Sequence, residues 1–145
     1  MDANEGWAEA DLERYLAAMR DAGVVMVEQP LPAGRDDALL AARAAGLAGR
    51  DAGLPLGADE SVHVRADLGA VEGLYDVVNV KLDKAGELTE ALELADEARA
   101  RGFDLMAGCM MATSVSMAPA MLVAQRARFF DLDGPLWMAE DRPHG

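Results

Sequence analysis

Tyr75-Asp76-Val77-Val78-Asn79-Val80-Lys81-Leu82 is the stretch on which the fold turns. From Tyr75 to Val80 the run is rich in β-branched residues and nearly continuous in apolar character. Strands buried on both faces of a parallel sheet read this way, whereas a half-exposed strand alternates. Lys81 therefore stands where a strand meets its loop. Partial desolvation of an amine at such a place lowers its pKa far enough for it to take a proton near neutral pH. The plainer alternative is a lysine that lays its stem on the strand end and reaches its head into water.

Outward from that strand the chain alternates. Trp7 to Arg20 carries Leu12, Tyr15, Leu16 and Met19 on one helical face, and Gly23 follows as a C-terminal cap. Val24 to Val27 reads as a buried strand ending at Glu28, and the prolines of Gln29-Pro30-Leu31-Pro32 then force a loop. Asp36 to Arg50 is expected to be helical with Asp36 as its cap, and Leu54 to Ala58 a short strand delivering Asp59. Further helices are expected over 63–72, 87–101 and 113–126, the last bent at Pro119, with strands over 103–107 and 129–134. Strand ends thus fall near positions 2, 28, 59, 81, 107 and 131, each interval long enough for one strand and one crossover helix. An open doubly wound sheet shares this rhythm, but its glycine-rich phosphate loop is absent. The pattern favours an α/β fold of the (β/α)8 TIM-barrel type, formed by a single domain over residues 1–145. Such a barrel gathers its active site at the C-terminal ends of its strands.

Composition narrows the function classes. The net charge of −13 argues against nucleic acid and anionic membranes as partners. The most apolar window, Met106 to Ala124, is interrupted by Gly108, Thr113, Ser114, Ser116 and Pro119 and reads as buried protein, not as a membrane span. The N-terminus opens on Asp2 and Glu5, unlike the basic start of a secretory signal, so a cytoplasmic location is expected. Cys109 is the only cysteine, which excludes a disulfide framework and a CxxC metal site. His63, Cys109 and His144 have no motif partner and are read as surface, buried and tail residues.

Asp2, Glu28 and Asp59 close successive strands, so in a barrel their carboxylates would face one point above the rim. Three hard oxygen ligands suit Mg2+, and without a cation they would repel one another. Singly, each could equally cap the helix that follows it. A divalent ion beside a lysine base has a use: the α-proton of a carboxylate is too weakly acidic for an amine alone, because its removal builds a dianionic enediolate.

The segments Asp2-Ala3-Asn4, Val27-Glu28-Gln29-Pro30, Gly57-Ala58-Asp59-Glu60-Ser61, Asn79-Val80-Lys81-Leu82 and Asp131-Leu132-Asp133-Gly134-Pro135, in that order, resemble the enolase superfamily. Within its mandelate racemase/muconate-lactonizing branch, the muconate-lactonizing subgroup and its dipeptide epimerases acting on L-Ala-D/L-Glu are the nearest in pattern. The resemblance spans essentially the whole chain. It implies Mg2+ held by Asp2, Glu28 and Asp59, Lys81 as the acid/base, and Asp131 and Asp133 as the grip on a dipeptide's α-ammonium. It further implies an isomerase that is a homo-oligomer in its full-length form, with the present residues covering strands three to eight. The first two strands, a second catalytic lysine on strand two and an α+β capping domain would then lie outside it, and the isolated piece is expected to be inactive as an epimerase. Two alternatives stay open: another subgroup activity (N-succinylamino acid racemase, o-succinylbenzoate synthase or cycloisomerase) and a non-catalytic metal-binding remnant. The Asp131/Asp133 pair argues against the former.

Overall fold

The computed structural model describes residues 1–143; His144 lies outside them. Among the described residues there are five strands: β1 (Val27–Glu28), β2 (Leu56–Ala58), β3 (Val77–Val80), β4 (Asp104–Ala107) and β5 (Phe129–Phe130). They lie in the sheet in chain order, β1-β2-β3-β4-β5. Helices α1 (Leu12–Asp21), α2 (Ala38–Ala44), α3 (Leu68–Val71), α4 (Leu82–Ala85), α5 (Leu88–Ala100) and α6 (Ser114–Ala124) fill the intervals. Neighbouring strands with a helix between them must be joined by crossovers, and the β1–β2, β2–β3 and β4–β5 pairings are parallel. The expected sixth strand end, at Asp2, is a single parallel bridge to Glu28, closed by the Glu28 N–H to Met1 O at 2.9 Å and the Ala3 N–H to Glu28 O at 3.0 Å.

The chain divides into two compact units, Met1–Val62 with Asp67–Val78, and His63–Ala66 with Asn79–Gly145. In the first, Val27 pairs with Leu56 and Glu28 with Gly57, while Gly57 and Ala58 pair with Val77 and Val78. Val27, Leu56, Val77 and Val78 are fully buried together with Leu16, Leu31, Leu39, Leu54 and Leu68. This is the core that the continuous apolar strands required. A polar exception sits at its N-terminal edge: Asp76, buried just before β3, accepts both Arg43 guanidinium nitrogens at 2.7 and 2.9 Å and the Leu56 N–H at 3.0 Å. Burial alone would raise the Asp76 pKa, but these donors outweigh it and hold the carboxyl below its ordinary value.

In the second unit, β4 and β5 pair at Met106 with Phe129 and at Ala107 with Phe130. Helix α5 buries Ala91, Leu94, Ala95 and Ala98, a stripe spaced three and four residues apart. Helix α6 is apolar nearly all round and leaves Val115, Met121 and Leu122 exposed beside its buried Met117, Ala120 and Val123.

Three expectations need correction. The helix expected over 36–50 stops at Ala44, because Gly46 turns left-handed (φ +68°) and the Leu47 N–H reaches back to Ala42 O at 2.9 Å. Asp36 does not cap it; its buried carboxylate is committed elsewhere, as described below. The short helix α4, directly after Lys81, was not anticipated from the sequence.

Candidate functional site

In the first unit, parallel pairing sets the strand ends side by side. Asp2 bridges Glu28, Glu28 pairs with Gly57, and Asp59 follows one residue beyond β2. Glu28 is 5 % and Asp59 2 % exposed, unusual for carboxylates. Asp2 is exposed, and its oxygens accept the Asn4 backbone N–H at 2.8 Å and the Asn4 Nδ2 at 3.3 Å. Among the described residues no group of three or more His, Cys, Asp or Glu side chains lies close enough to hold a metal ion as placed. The backbone therefore aligns the three expected ligands, while their side chains do not converge.

What fixes this region is a residue the sequence reading passed over. Gln29 is fully buried and has a left-handed backbone (φ +32°), a conformation that disfavours side chains and tends to persist where surroundings hold it. Its Oε1 accepts the backbone N–H groups of Asp59 at 3.0 Å and Ser61 at 3.2 Å. Its Nε2 lies 2.9 Å from Leu31 O, 2.8 Å from Ser61 Oγ and 2.9 Å from Tyr75 Oη. Both hydroxyls donate onward to Asp36 Oδ2, Ser61 at 2.7 Å and Tyr75 at 2.8 Å. Burial, then the bond to Asp36, holds the Tyr75 hydroxyl protonated well above its usual range. Gln29 and Ser61 stood inside the motifs quoted above, so their places were legible; their pairing across the strands was not.

In the second unit, Lys81 is half-buried at the end of β3 and its stem crosses Gly108, just past β4. A Cβ at residue 108 would lie 2.8 Å from Lys81 Cε and 2.5 Å from Asn79 Oδ1, so only glycine admits this approach. Asp131 and Asp133 follow β5 and lie within hydrogen-bonding reach of each other. Partial burial, and next the Asp133 charge, push the Asp131 carboxyl above its ordinary value, with Lys81 pulling the other way. Trp137 Nε1 donates to Asp133 Oδ2 at 2.9 Å. Cys109 joins this group: its Sγ accepts the Gly134 N–H at 3.4 Å, and it feels the charges of Asp131, Asp133 and Lys81. Burial raises its thiol pKa, and the two aspartates reinforce the effect. A lone cysteine without spacing partners gave no signal of this placement. His63 is exposed, as expected.

The second unit thus brings a lysine, two carboxylates and a thiol within electrostatic reach, an arrangement able to move a proton beside a bound cation. Among the described residues no helix is long and apolar enough to cross a membrane.

Comparison with known proteins agrees with the resemblance to the enolase superfamily. An N-acetyl-D-glutamate racemase of Pseudoalteromonas sp. is 49% identical over 144 residues, 99% of this chain and 43% of that protein. An L-Ala-D/L-Glu epimerase of Escherichia coli strain K12 is 49% identical over 141 residues, 97% of this chain and 41% of its own length. The chain therefore spans about two-fifths of the length of these relatives. An enolase family member from Agrobacterium tumefaciens with homology to dipeptide epimerases, solved with sodium and L-Ala-L-Glu, superposes with TM-score 0.88 at 48% identity, over 97% of this chain and 41% of that one. The dipeptide epimerase of Methylococcus capsulatus, solved with Mg and L-Arg-D-Lys, does so with TM-score 0.85 at 35% identity, over 97% and 40%. The alternating strands and helices are accordingly part of a (β/α)8 barrel. The enolase C-terminal domain-like family matches residues 1–138, and the chain belongs to it.

Proposed function

We propose that these residues form part of one barrel domain of a Mg2+-dependent dipeptide epimerase of the L-Ala-D/L-Glu type. The observation that carries this reading is the Asp131/Asp133 pair, two carboxylates close enough to raise the pKa of one, set within electrostatic reach of Lys81. Such a pair favours a cation, and a dipeptide brings one in its α-ammonium. Lys81 would exchange the α-proton at Nζ, its stem held in place over Gly108. Asp133, oriented by the Trp137 indole N–H, would hold the ammonium together with Asp131.

Asp2, Glu28 and Asp59 would hold the Mg2+. Their fit rests on hard oxygen donors at aligned strand ends, two of them buried. Asp2 would exchange its Asn4 hydrogen bonds for the ion. When bound, Mg2+ would neutralise the charge that develops on the substrate carboxylate as the α-proton leaves.

The Pseudoalteromonas relative is named for an N-acylated amino acid, which supports a second reading: racemisation of N-acylamino acids by the same proton transfer. The two differ at the ammonium. In deuterated water with Mg2+, NMR should show slow loss of the α-proton of L-Ala-L-Glu, abolished by Lys81→Ala, with N-acetyl-L-glutamate exchanging far less. Equal exchange of both would favour the racemase, and exchange unaffected by Lys81→Ala would remove Lys81 from the chemistry. The small share of its relatives' length that the chain spans supports a further proposal. The isolated residues exchange a proton without accumulating the L,D diastereomer, since inversion needs a second acid/base on the opposite face.

A further inference from the structure

We infer that Gln29 is a positioning residue for a divalent-cation site at Glu28 and Asp59, acting through a one-way hydrogen-bond chain that ends at Asp36. The inference rests on the proposal that these carboxylates hold Mg2+.

The direction of the chain follows from its fixed donors and acceptors. Backbone N–H groups only donate, so the Gln29 oxygen must face Asp59 and Ser61. Its amide nitrogen, which accepts nothing, then faces Leu31 O and the two hydroxyls, its two hydrogens shared among these three acceptors. With their lone pairs turned to Gln29, Ser61 Oγ and Tyr75 Oη must give their protons to Asp36 Oδ2. Every partner is in the first unit, and the members lie on four separate stretches of chain.

The position of Gln29 gives the chain a purpose beyond packing. It follows Glu28 directly, and its backbone is tied on both sides, by its own N–H to Gly57 O at 2.8 Å and by the Glu5 N–H to its O at 2.8 Å. Its side chain then reaches across to the backbone of Asp59. The backbone segments that carry the two buried carboxylates are thereby locked to each other through a residue that ligates nothing. Hydrogen-bond partners of metal ligands orient them, and their loss typically costs about 10–100-fold in metal affinity. Gln29→Glu keeps the shape but replaces the donating nitrogen with an anionic oxygen facing Leu31 O and the two hydroxyls that bind Asp36. Tyr75→Phe removes one hydroxyl and keeps the ring.

The test uses Mn2+ as the probe, titrated into the chain and followed by the electron paramagnetic resonance signal of free Mn2+. Backbone amide exchange of Asp59 and Ser61 is read by NMR on the same samples. Leu39→Ala, a fully buried core truncation in the same unit, controls for general loss of stability. Gln29→Glu should weaken Mn2+ by about 10-fold or more and Tyr75→Phe by a smaller factor. Both should speed exchange at Asp59 and Ser61, while Leu39→Ala should leave Mn2+ affinity within about twofold of the parent. If Gln29→Glu does not fold, Tyr75→Phe decides. Variants that bind Mn2+ as the parent does, or that lose no more affinity than Leu39→Ala at matched Tm, overturn the role of Gln29 alone. A parent that binds no Mn2+, or a Glu28→Gln chain that binds it equally well, overturns the metal reading and this inference with it.

Discussion

Glu28 and Asp59 in the first unit stand at the ends of neighbouring parallel strands, whereas Asp131 and Asp133 in the second both follow β5, and the two carboxylate pairs are held by opposite means. The first pair is almost wholly buried, and the backbone that carries it is pinned by Gln29, Ser61, Tyr75 and Asp36. The second pair lies beside the Trp137 indole, a thiol and the charge of Lys81; Asp131 is exposed and meets the charge of its neighbour directly. A buried charged site demands satisfied partners before any ligand arrives. An exposed one can keep its repulsion and release it when a cation binds. Under the proposed function, the contrast suits a resident ion at the first pair and an exchanging substrate at the second.

The contrast predicts stability losses concentrated in the first unit. Asp76→Ala should cost most, about 3–5 kcal/mol, because it leaves the Arg43 guanidinium without its buried partner. Urea midpoints measure this, and a loss under about 1 kcal/mol would show that polar burial there contributes little. The pH dependence has a definite sign. The Asp76 pKa is lower folded than unfolded, so its contribution is complete above the unfolded carboxylate value and is lost as pH falls through the folded one. The variant should therefore show a flatter acid limb.

Gly108→Ala should cost about 1–3 kcal/mol by forcing Asn79 and Lys81 aside, and should slow α-proton exchange more than it lowers Tm. Unchanged exchange would mean that Lys81 needs no seat on Gly108. Smaller again is the substrate effect: Asp133→Asn should weaken binding of an ammonium-bearing dipeptide by about tenfold, read by calorimetry. Because the Asp131 pKa is raised, acid should weaken that binding at a higher pH than an ordinary aspartate would give, as Asp131 takes up a proton. Binding that held constant through that range would sever the pair from the ammonium. Least affected should be Asp104→Asn, which loosens the half-exposed pair with Arg128 and should shift stability by less than about 0.5 kcal/mol.

The strand order was legible because β1 to β5 are short and apolar with glycine or proline between them. The candidate sites at their ends are expectations of the barrel rule, which turns a position in sequence into a position on a rim. Helix ends were less legible: Gly46 ends α2 early, although Asp36 to Arg50 is rich in good helix formers, since one left-handed glycine outweighs several small propensities. The cap assigned to Asp36 failed for a different reason. Its partners Ser61 and Tyr75 are 25 and 39 residues away, a separation over which local pattern carries no information. Cys109 was illegible for the same reason, since its neighbours Lys81, Asp131 and Gly134 come from other strand ends.

The seating of Lys81 across Gly108 also makes the chain unusually easy to interrogate chemically. Only two lysines occur, Lys81 and Lys84, so with the Met1 amine there are three primary amines in all. Met1 is tied to Met26 O at 2.9 Å, and Lys84 lies on the short helix α4. Reductive methylation with isotopically labelled formaldehyde would place three resolvable NMR reporters on the protein, one of them on the amine proposed to move the proton. Its chemical shift against pH would read the titration of Lys81 directly, without substrate and without turnover.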